Sequence, residues 1–253
     1  TKMARPSMEK SVNRVWIAGA GYLGVPLVQQ LQAAAYPVCA SSRTPREGVV
    51  WHAWDFAAHS ELQDFQAADT WVVLLPPSSG SDYVAHMRHL CAQAQQLHTA
   101  HVVYASSTSV YGSEVRVCDE ESSVAPESDH AKQIVRCEQI WQNSGLPCVS
   151  ILRLGGLYDD ERHPVRRLSG RVAIKGGKHP VNVVSRSGAV AALAGHVAHA
   201  QGGIFNVVEA MHPSRSAFYS QEALRLGLPL PEFDASDASD GKTVISRHQC
   251  EHI

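Results

Sequence analysis

Residues 15–24 read VWIAGAGYLG, an apolar run that breaks into Gly19-Ala20-Gly21-Tyr22-Leu23-Gly24. Such a run suits a parallel strand buried on both faces, and closely spaced glycines let the backbone turn sharply and bring its N–H groups against a phosphate. Leu27, Leu31 and neighbouring alanines continue with helical spacing, and Pro26 falls in a first turn, where its missing N–H costs nothing. Strand, glycines and helix in this order seat a dinucleotide pyrophosphate on a helix N-terminus. Gly19, Gly21, Tyr22, Leu23 and Gly24 are therefore the first candidate cofactor residues. A purely structural strand-to-helix turn would read the same way, so the rest of the chain has to decide.

Further along, short apolar runs alternate with amphipathic stretches. Strands are expected at Pro37–Arg43, Trp51–Phe56, Thr70–Leu75, Val102–Ala105, Cys148–Leu152 and Gly203–Val208, with helices over 82–100 and 131–143. This alternation implies an α/β protein with a doubly wound parallel sheet, and ligands in such sheets collect at the carboxyl ends of the strands. Leu75, Pro76 and Ser106 stand at such ends and join the cofactor candidates. The pattern weakens after Leu157: residues 159–179 read as a polar loop, and the tail from Pro229 reads as a small appendage or a partly disordered segment.

Composition narrows the partners. Among 253 residues, 22 basic and 24 acidic side chains give a net charge of −2, which argues against nucleic-acid or membrane-surface binding. No apolar run approaches the ~18 residues that span a bilayer, and the polar leader TKMARPSMEK is no signal peptide. The six cysteines, at 39, 91, 118, 137, 148 and 250, form no CxxC and read as reduced core thiols, so a cytoplasmic location is expected. His86-x-x-His89 and His196-x-x-His199 lack an obvious third ligand and read as solvated helix faces, so no metal is expected.

The strand ends carry a family resemblance. GAGYLG, Leu75-Pro76-Pro77, Ser106-Ser107-Thr108-Ser109-Val110-Tyr111-Gly112 and Leu152-Arg153-Leu154-Gly155-Gly156-Leu157-Tyr158 resemble the extended short-chain dehydrogenase/reductase superfamily, in its NAD-dependent epimerase/dehydratase group. SSTSVYG followed by ILRLGGLY, Arg162-His163-Pro164 and Val181-Asn182-Val183 is similar to the atypical YeeZ-like branch. The resemblance implies a Rossmann-type NAD(P)-binding domain over 11–158, its sheet completed by 181–208. It also implies a small discontinuous C-terminal substrate lobe from 159–180 and 209–253, and it is compatible with a homodimer. It places the role of orienting a substrate oxygen on Ser107, with Ser109 beside it.

The family's usual proton machinery, a YxxxK on the following helix, is missing, because none of the seven tyrosines has a lysine four residues on. Anchoring the helix on Glu138 puts His130 at the tyrosine position and Ile134 at the lysine position. A histidine side chain can exchange a proton near neutral pH, so His130 is one candidate acid, though it also suits an exposed helix start. Tyr158, at a strand end with Arg162 four residues on, is the other.

The cofactor type is read at the end of the second strand, where NAD-preferring sites place a carboxylate for the ribose 2′-OH. Here Ser41-Ser42-Arg43-Thr44-Pro45-Arg46 supplies none. Ser42 and Arg43 suit a 2′-phosphate, so NADP(H) is expected over NAD(H), unless Arg43 only solvates its loop. The segment after Glu161 holds Arg162, Arg166, Arg167, Arg171, Lys175 and Lys178 without a further acid before Pro180. Arg162 and Arg166 are thus candidates for an anionic small-molecule substrate, a solvated basic loop being the plain alternative. Two functions remain open: an NAD(P)-dependent oxidoreductase or epimerase acting on a small hydroxyl or carbonyl compound, and a non-catalytic NADP(H)-binding sensor or scaffold.

Overall fold

The computed structural model describes residues 12–78 and 82–248; the leader 1–10, Cys250 and the rest of 249–253 lie outside the described residues. In chain order the strands are β1 (Val15–Ala18), β2 (Val38–Ser42), β3 (Trp51–Ala53), β4 (Thr70–Val73), β5 (His101–Ser107), β6 (Val117–Cys118), β7 (Cys148–Leu154), β8 (Gly156–Tyr158), β9 (Val183–Ser185), β10 (Gly203–Val207) and β11 (Thr243–Val244). The helices are α1 (Gly24–Ala33), α2 (Tyr83–Gln96), α3 (Asp129–Gln142), α4 (Val165–Leu168), α5 (Arg186–Ala198) and α6 (Arg215–Arg225). Seven strands form one parallel sheet in the order β10-β7-β5-β4-β1-β2-β3. The order reverses between β1 and β4, which opens a crevice beyond their carboxyl ends.

Strand residues alternate between the two faces. Val15 and Ile17 pack with Leu27, Val28 and Leu31 of α1 and with Ala189, Val190 and Leu193 of α5. Trp16 and Ala18 face the other way, towards Tyr83, Met87 and Leu90 of α2 and Cys137 and Trp141 of α3. This second face is unusually aromatic, and two of its buried indole N–H groups, those of Trp16 and Trp71, are paired, whereas that of Trp141 has no partner among the described residues. Trp16 and Trp71 meet edge to face at 4.7 Å, Trp16 Nε1 donates to Ser41 Oγ at 2.9 Å, and Trp71 Nε1 donates to the Gln66 carbonyl at 2.8 Å.

Several elements differ from the sequence expectation. The third strand stops at Ala53, because β2 ends at Ser42 and a single further bond, Trp54 N to Ser42 O, is left to extend the ladder. Trp54-Asp55-Phe56 is thereby released to line the crevice. The 159–179 loop contains the one-turn helix α4, held by burial of Val165 against Tyr219 and Ala223 of α6. Of segment 181–208, β10 forms an edge of the main sheet, whereas β9 pairs with β8 in a separate ladder. The described tail folds back: Ile174 bridges Phe233, and β11 pairs with β6. The five described cysteines are free thiols. Among the described residues no helix is long and apolar enough to cross a membrane.

Candidate active site

Two adjoining clefts meet at Pro76 along the carboxyl edge of the sheet. The smaller, about 350 Å³, is lined by Gly19, Ser41, Ser42, Arg43, Trp54, Asp55, Phe56 and Leu75 among others. The larger, about 590 Å³, runs from Gly21, Tyr22, Leu23 and Gly24 past Ser106, Ser107 and Ile134 to Gly155, Gly156 and Arg162. All ten cofactor candidates named from the sequence line one cleft or the other.

The glycine turn is built around three different demands. Gly19 has φ of +117° and a Cβ there would stand 2.5 Å from the Leu74 carbonyl oxygen, so the strand crossing forbids a side chain. At Gly24 a Cβ would approach the Gly19 oxygen to 2.1 Å, so close helix–strand contact forbids one there too. Gly21 differs: a Cβ would meet no protein atom within 4 Å. Nothing in the protein's own packing requires glycine at that position, which fits a backbone approached closely by a ligand phosphate. Helix α1 has neither a side-chain N-cap nor an acid in its first turn, so its positive end is left for an anion.

Arginines hold this turn by its carbonyls. Arg46 Nε donates to Ala20 O at 2.8 Å, and Arg186 Nε donates to Tyr22 O at 2.8 Å. The Tyr22 ring lies against the guanidiniums of Arg186 and Arg162, 4.4 and 4.7 Å from its centroid. Burial, reinforced by the Asp159 carboxylate, pushes the Tyr22 phenol up to about 12. In the smaller cleft Ser42 Oγ donates to Thr44 O at 2.7 Å and accepts from Trp51 Nε1 at 2.9 Å, which fixes the loop bearing the exposed Arg43.

The serines at the end of β5 have separate surroundings. Ser106 Oγ donates to the buried Glu138 carboxylate at 2.5 Å, and Glu138 is also held by Arg153 through contacts of 2.7 and 3.0 Å. Burial works against the Arg153 charge, but Glu138 more than offsets this and keeps the guanidinium protonated. Arg153 also donates to Tyr111 Oη at 2.9 Å, which lies 2.7 Å from Asn206 Oδ1. Ser107 caps the short turn Thr108–Tyr111, its Oγ accepting from Ser109 N at 3.1 Å. Lys242 clamps that turn from the tail, donating to Thr108 O at 3.0 Å and Gly112 O at 2.6 Å.

Of the three catalytic candidates, Ser107 lines the cleft. His130 is exposed on the first turn of α3, and it is Ile134, one turn on, that reaches the cleft wall. Tyr158 Oη donates to Glu209 at 2.8 Å beside His163 and Phe218; burial and then Glu209 hold its phenol far above the ordinary range. Among the substrate candidates Arg162 lines the cleft, Ser109 is exposed beside Ser107, and Arg166 donates to the Asp160 carbonyl at 2.6 Å.

The histidine pairs are not plain solvated faces. His86 and His89 are half-buried and joined by His59, whose Nε2 lies 2.6 Å from His86 Nδ1 and whose ring stacks on His89 at 4.4 Å. His196 packs against Phe205. Among the described residues no group of three or more histidine, cysteine, aspartate or glutamate side chains is arranged to hold a metal ion.

The sequence reading missed Arg46, whose proximity to the glycine turn has no local signal, and the Trp54-Asp55-Phe56 wall. The second was readable in part, because an aromatic–acid–aromatic triplet directly after a strand is a strand-end signature of the kind used for Ser106.

No family model matches the chain. It is 30% identical over 261 aligned positions to protein YeeZ of Escherichia coli strain K12, covering 96% of this chain and 94% of that one. Among solved structures it is similar to the UDP-N-acetylglucosamine 4-epimerase of Bacillus cereus, with a TM-score of 0.77 and 16% identity over 93% of this chain and 90% of that chain. It is similar also to MoeE5 in complex with UDP-glucose and NAD, with a TM-score of 0.74 and 22% identity over 92% and 89%. Sheet order, glycine turn and strand-end serines define the fold of the extended short-chain dehydrogenase/reductases. By its identity to protein YeeZ over nearly the whole of both chains, the chain belongs to the YeeZ-like family.

Proposed function

We propose that the chain is an NADP(H)-preferring oxidoreductase or epimerase-like enzyme that holds the oxygen of a small carbonyl or hydroxyl substrate at Ser107. The observation that carries this reading is that two clefts sharing Pro76 lie side by side along the strand ends, one lined by Ser42 and Arg43 and the other by the glycine turn and Ser107. MoeE5, similar in fold, is seen with NAD, and the open Gly21 suits a bound pyrophosphate. At the other end Arg43 lines the cleft and Arg46 lies on the glycine turn, while β2 ends without the carboxylate that would accept from a 2′-OH. Two guanidiniums near one loop favour a 2′-phosphate. NADPH is expected to bind at least tenfold more tightly than NADH in a calorimetric titration, and Arg43→Ala to remove most of that difference. Equal affinities in the unaltered protein would reject the preference.

When bound, the nicotinamide supplies or accepts hydride. Ser107 donates its hydroxyl hydrogen to the substrate oxygen while its own oxygen accepts from the Ser109 N–H, and this polarisation strengthens the donated bond. A serine is too weak an acid to deliver the proton unaided. Tyr22, the phenol in the cleft wall, has its pKa raised rather than lowered, which makes it a poor proton donor, and turnover is expected to be slow. In single-turnover NADPH oxidation Ser107→Ala is expected to lose about tenfold or more, with His130→Ala and Tyr158→Phe keeping most of the rate. Full activity in Ser107→Ala would remove the mechanism, and a tenfold loss in either of the other two would make that side chain the donor. Ile134 in the cleft wall favours the second reading, an NADP(H)-binding sensor or scaffold. Tight NADPH binding without oxidation on any carbonyl would select it.

A further inference from the structure

We infer that Arg162 recognises an anionic group on the substrate, a carboxylate or phosphate carried by a small carbonyl or hydroxyl compound. The inference rests on the functional reading above and narrows its substrate class. The basic segment after Glu161 offers six cations, but the fold disposes of them unequally. Lys175 pairs with Asp234 at 2.5 Å, Arg166 is spent on the Asp160 carbonyl, and Arg162 lines the cleft that also contains Ser107. Among the described residues the ion pairs engage Arg153, His163, Lys175, Arg186, Arg225 and Arg247, and none engages Arg162.

The neighbouring carboxylate of Asp159 is already committed. Asp159 accepts from the backbone N–H groups of Glu161 and Arg162, at 3.0 and 2.6 Å, and faces Arg186 NH1 at 3.6 Å. Meanwhile the Arg162 guanidinium lies over the Tyr22 ring at 4.7 Å. A cation–π contact of this kind consumes no conventional hydrogen-bond acceptor, and a guanidinium's N–H donors form the fork that grips a carboxylate or phosphate with two parallel bonds. Because Tyr22 belongs to the glycine turn, the fork is also fixed relative to the cofactor site. The 590 Å³ cleft has to hold the nicotinamide end of the cofactor as well, which leaves room for a small substrate.

The test uses thermal shift at saturating NADP+, with pyruvate, acetoacetate and glyceraldehyde 3-phosphate set against methyl pyruvate, methyl acetoacetate and glyceraldehyde. At least one anionic compound is expected to raise the transition where its neutral counterpart does not, since a ligand that binds only the folded state stabilises it. Its affinity is expected to fall at least tenfold in Arg162→Gln and by less in Arg162→Lys, with no loss in Lys175→Gln. Equal shifts by charged and neutral partners, no shift by any compound, or undiminished affinity in Arg162→Gln would each overturn the inference. Calorimetry with NADPH alone separates the two levels: absence of binding there rejects the nucleotide reading. The anion panel repeated without cofactor then judges Arg162 by itself.

Discussion

Glu138→Gln is expected to cost the protein about 3–5 kcal/mol of stability, the range found when one partner of a buried ion pair is removed. Glu138 and Arg153 are 3% and 4% exposed, so the remaining guanidinium has no route to bulk water. The substitution also weakens the acceptor of Ser106 and strands a charge next to Tyr111. By contrast Lys175 and Asp234, at similar distance but with the lysine 72% exposed, form a solvent-screened pair whose loss should cost far less. Urea denaturation measures the difference. Replacing both partners with apolar residues, Glu138→Leu with Arg153→Met, should recover much of the loss, because most of the cost lies in the uncompensated charge. A loss below about 1 kcal/mol in Glu138→Gln would show that the interior solvates Arg153 in some other way.

Acidification between pH 6.5 and 4 is the second large effect expected. His101 Nε2 lies 2.8 Å from Ser150 Oγ, and Ser150 in turn donates to Gln201 O at 2.6 Å, so the imidazole is the donor in this chain. Its Nδ1 is buried with no partner among the described residues, so a second proton would create an N–H with nothing to accept it. Burial first, and then the neighbouring His196, lower its pKa to about 4. The folded state therefore binds fewer protons than the unfolded state between the ordinary histidine value and 4, and stability rises with pH across that window. His101 alone contributes about 2–3 kcal/mol that is fully present above pH 6.5 and is lost as pH falls to 4, allowing for some solvent screening. His163 and His196, also lowered by burial, act in the same direction. The lowered carboxylates, such as Asp234, titrate below this window. Denaturation at a series of pH values should show a steep slope that flattens in His101→Gln. An equal slope in both proteins would place the acid sensitivity elsewhere.

What was legible in the sequence was what short-range periodicity encodes. The glycine turn, the β5 serines and the basic end of β2 all stand at strand ends, and a strand end is marked locally by the residues that stop it. The illegible part lies in pairings across the chain. Arg46 on the Ala20 carbonyl, Arg186 on Tyr22, His59 against His86 and Lys242 on the Thr108 carbonyl join segments that no local pattern connects. Arg153 and Glu138 both stood inside recognisable segments, yet nothing in either segment says that their charges meet below Ser106. Helix α4 escaped for a related reason: a single turn held by tertiary burial of Val165 carries too little periodicity to stand out from a polar loop.

The clamp of Lys242 on the Thr108 and Gly112 carbonyls joins two segments made far apart in time. Translation delivers the glycine turn first and the segment around Lys242 far later, after every strand of the main sheet has been made. A chain that has emerged as far as β10 contains every strand of the main sheet, while the Thr108 and Gly112 carbonyls still await the tail. The turn that carries Ser107 is thus completed by a segment that lies beyond every strand of the main sheet, and a chain cut before Lys242 would leave both carbonyls without the donor that holds them.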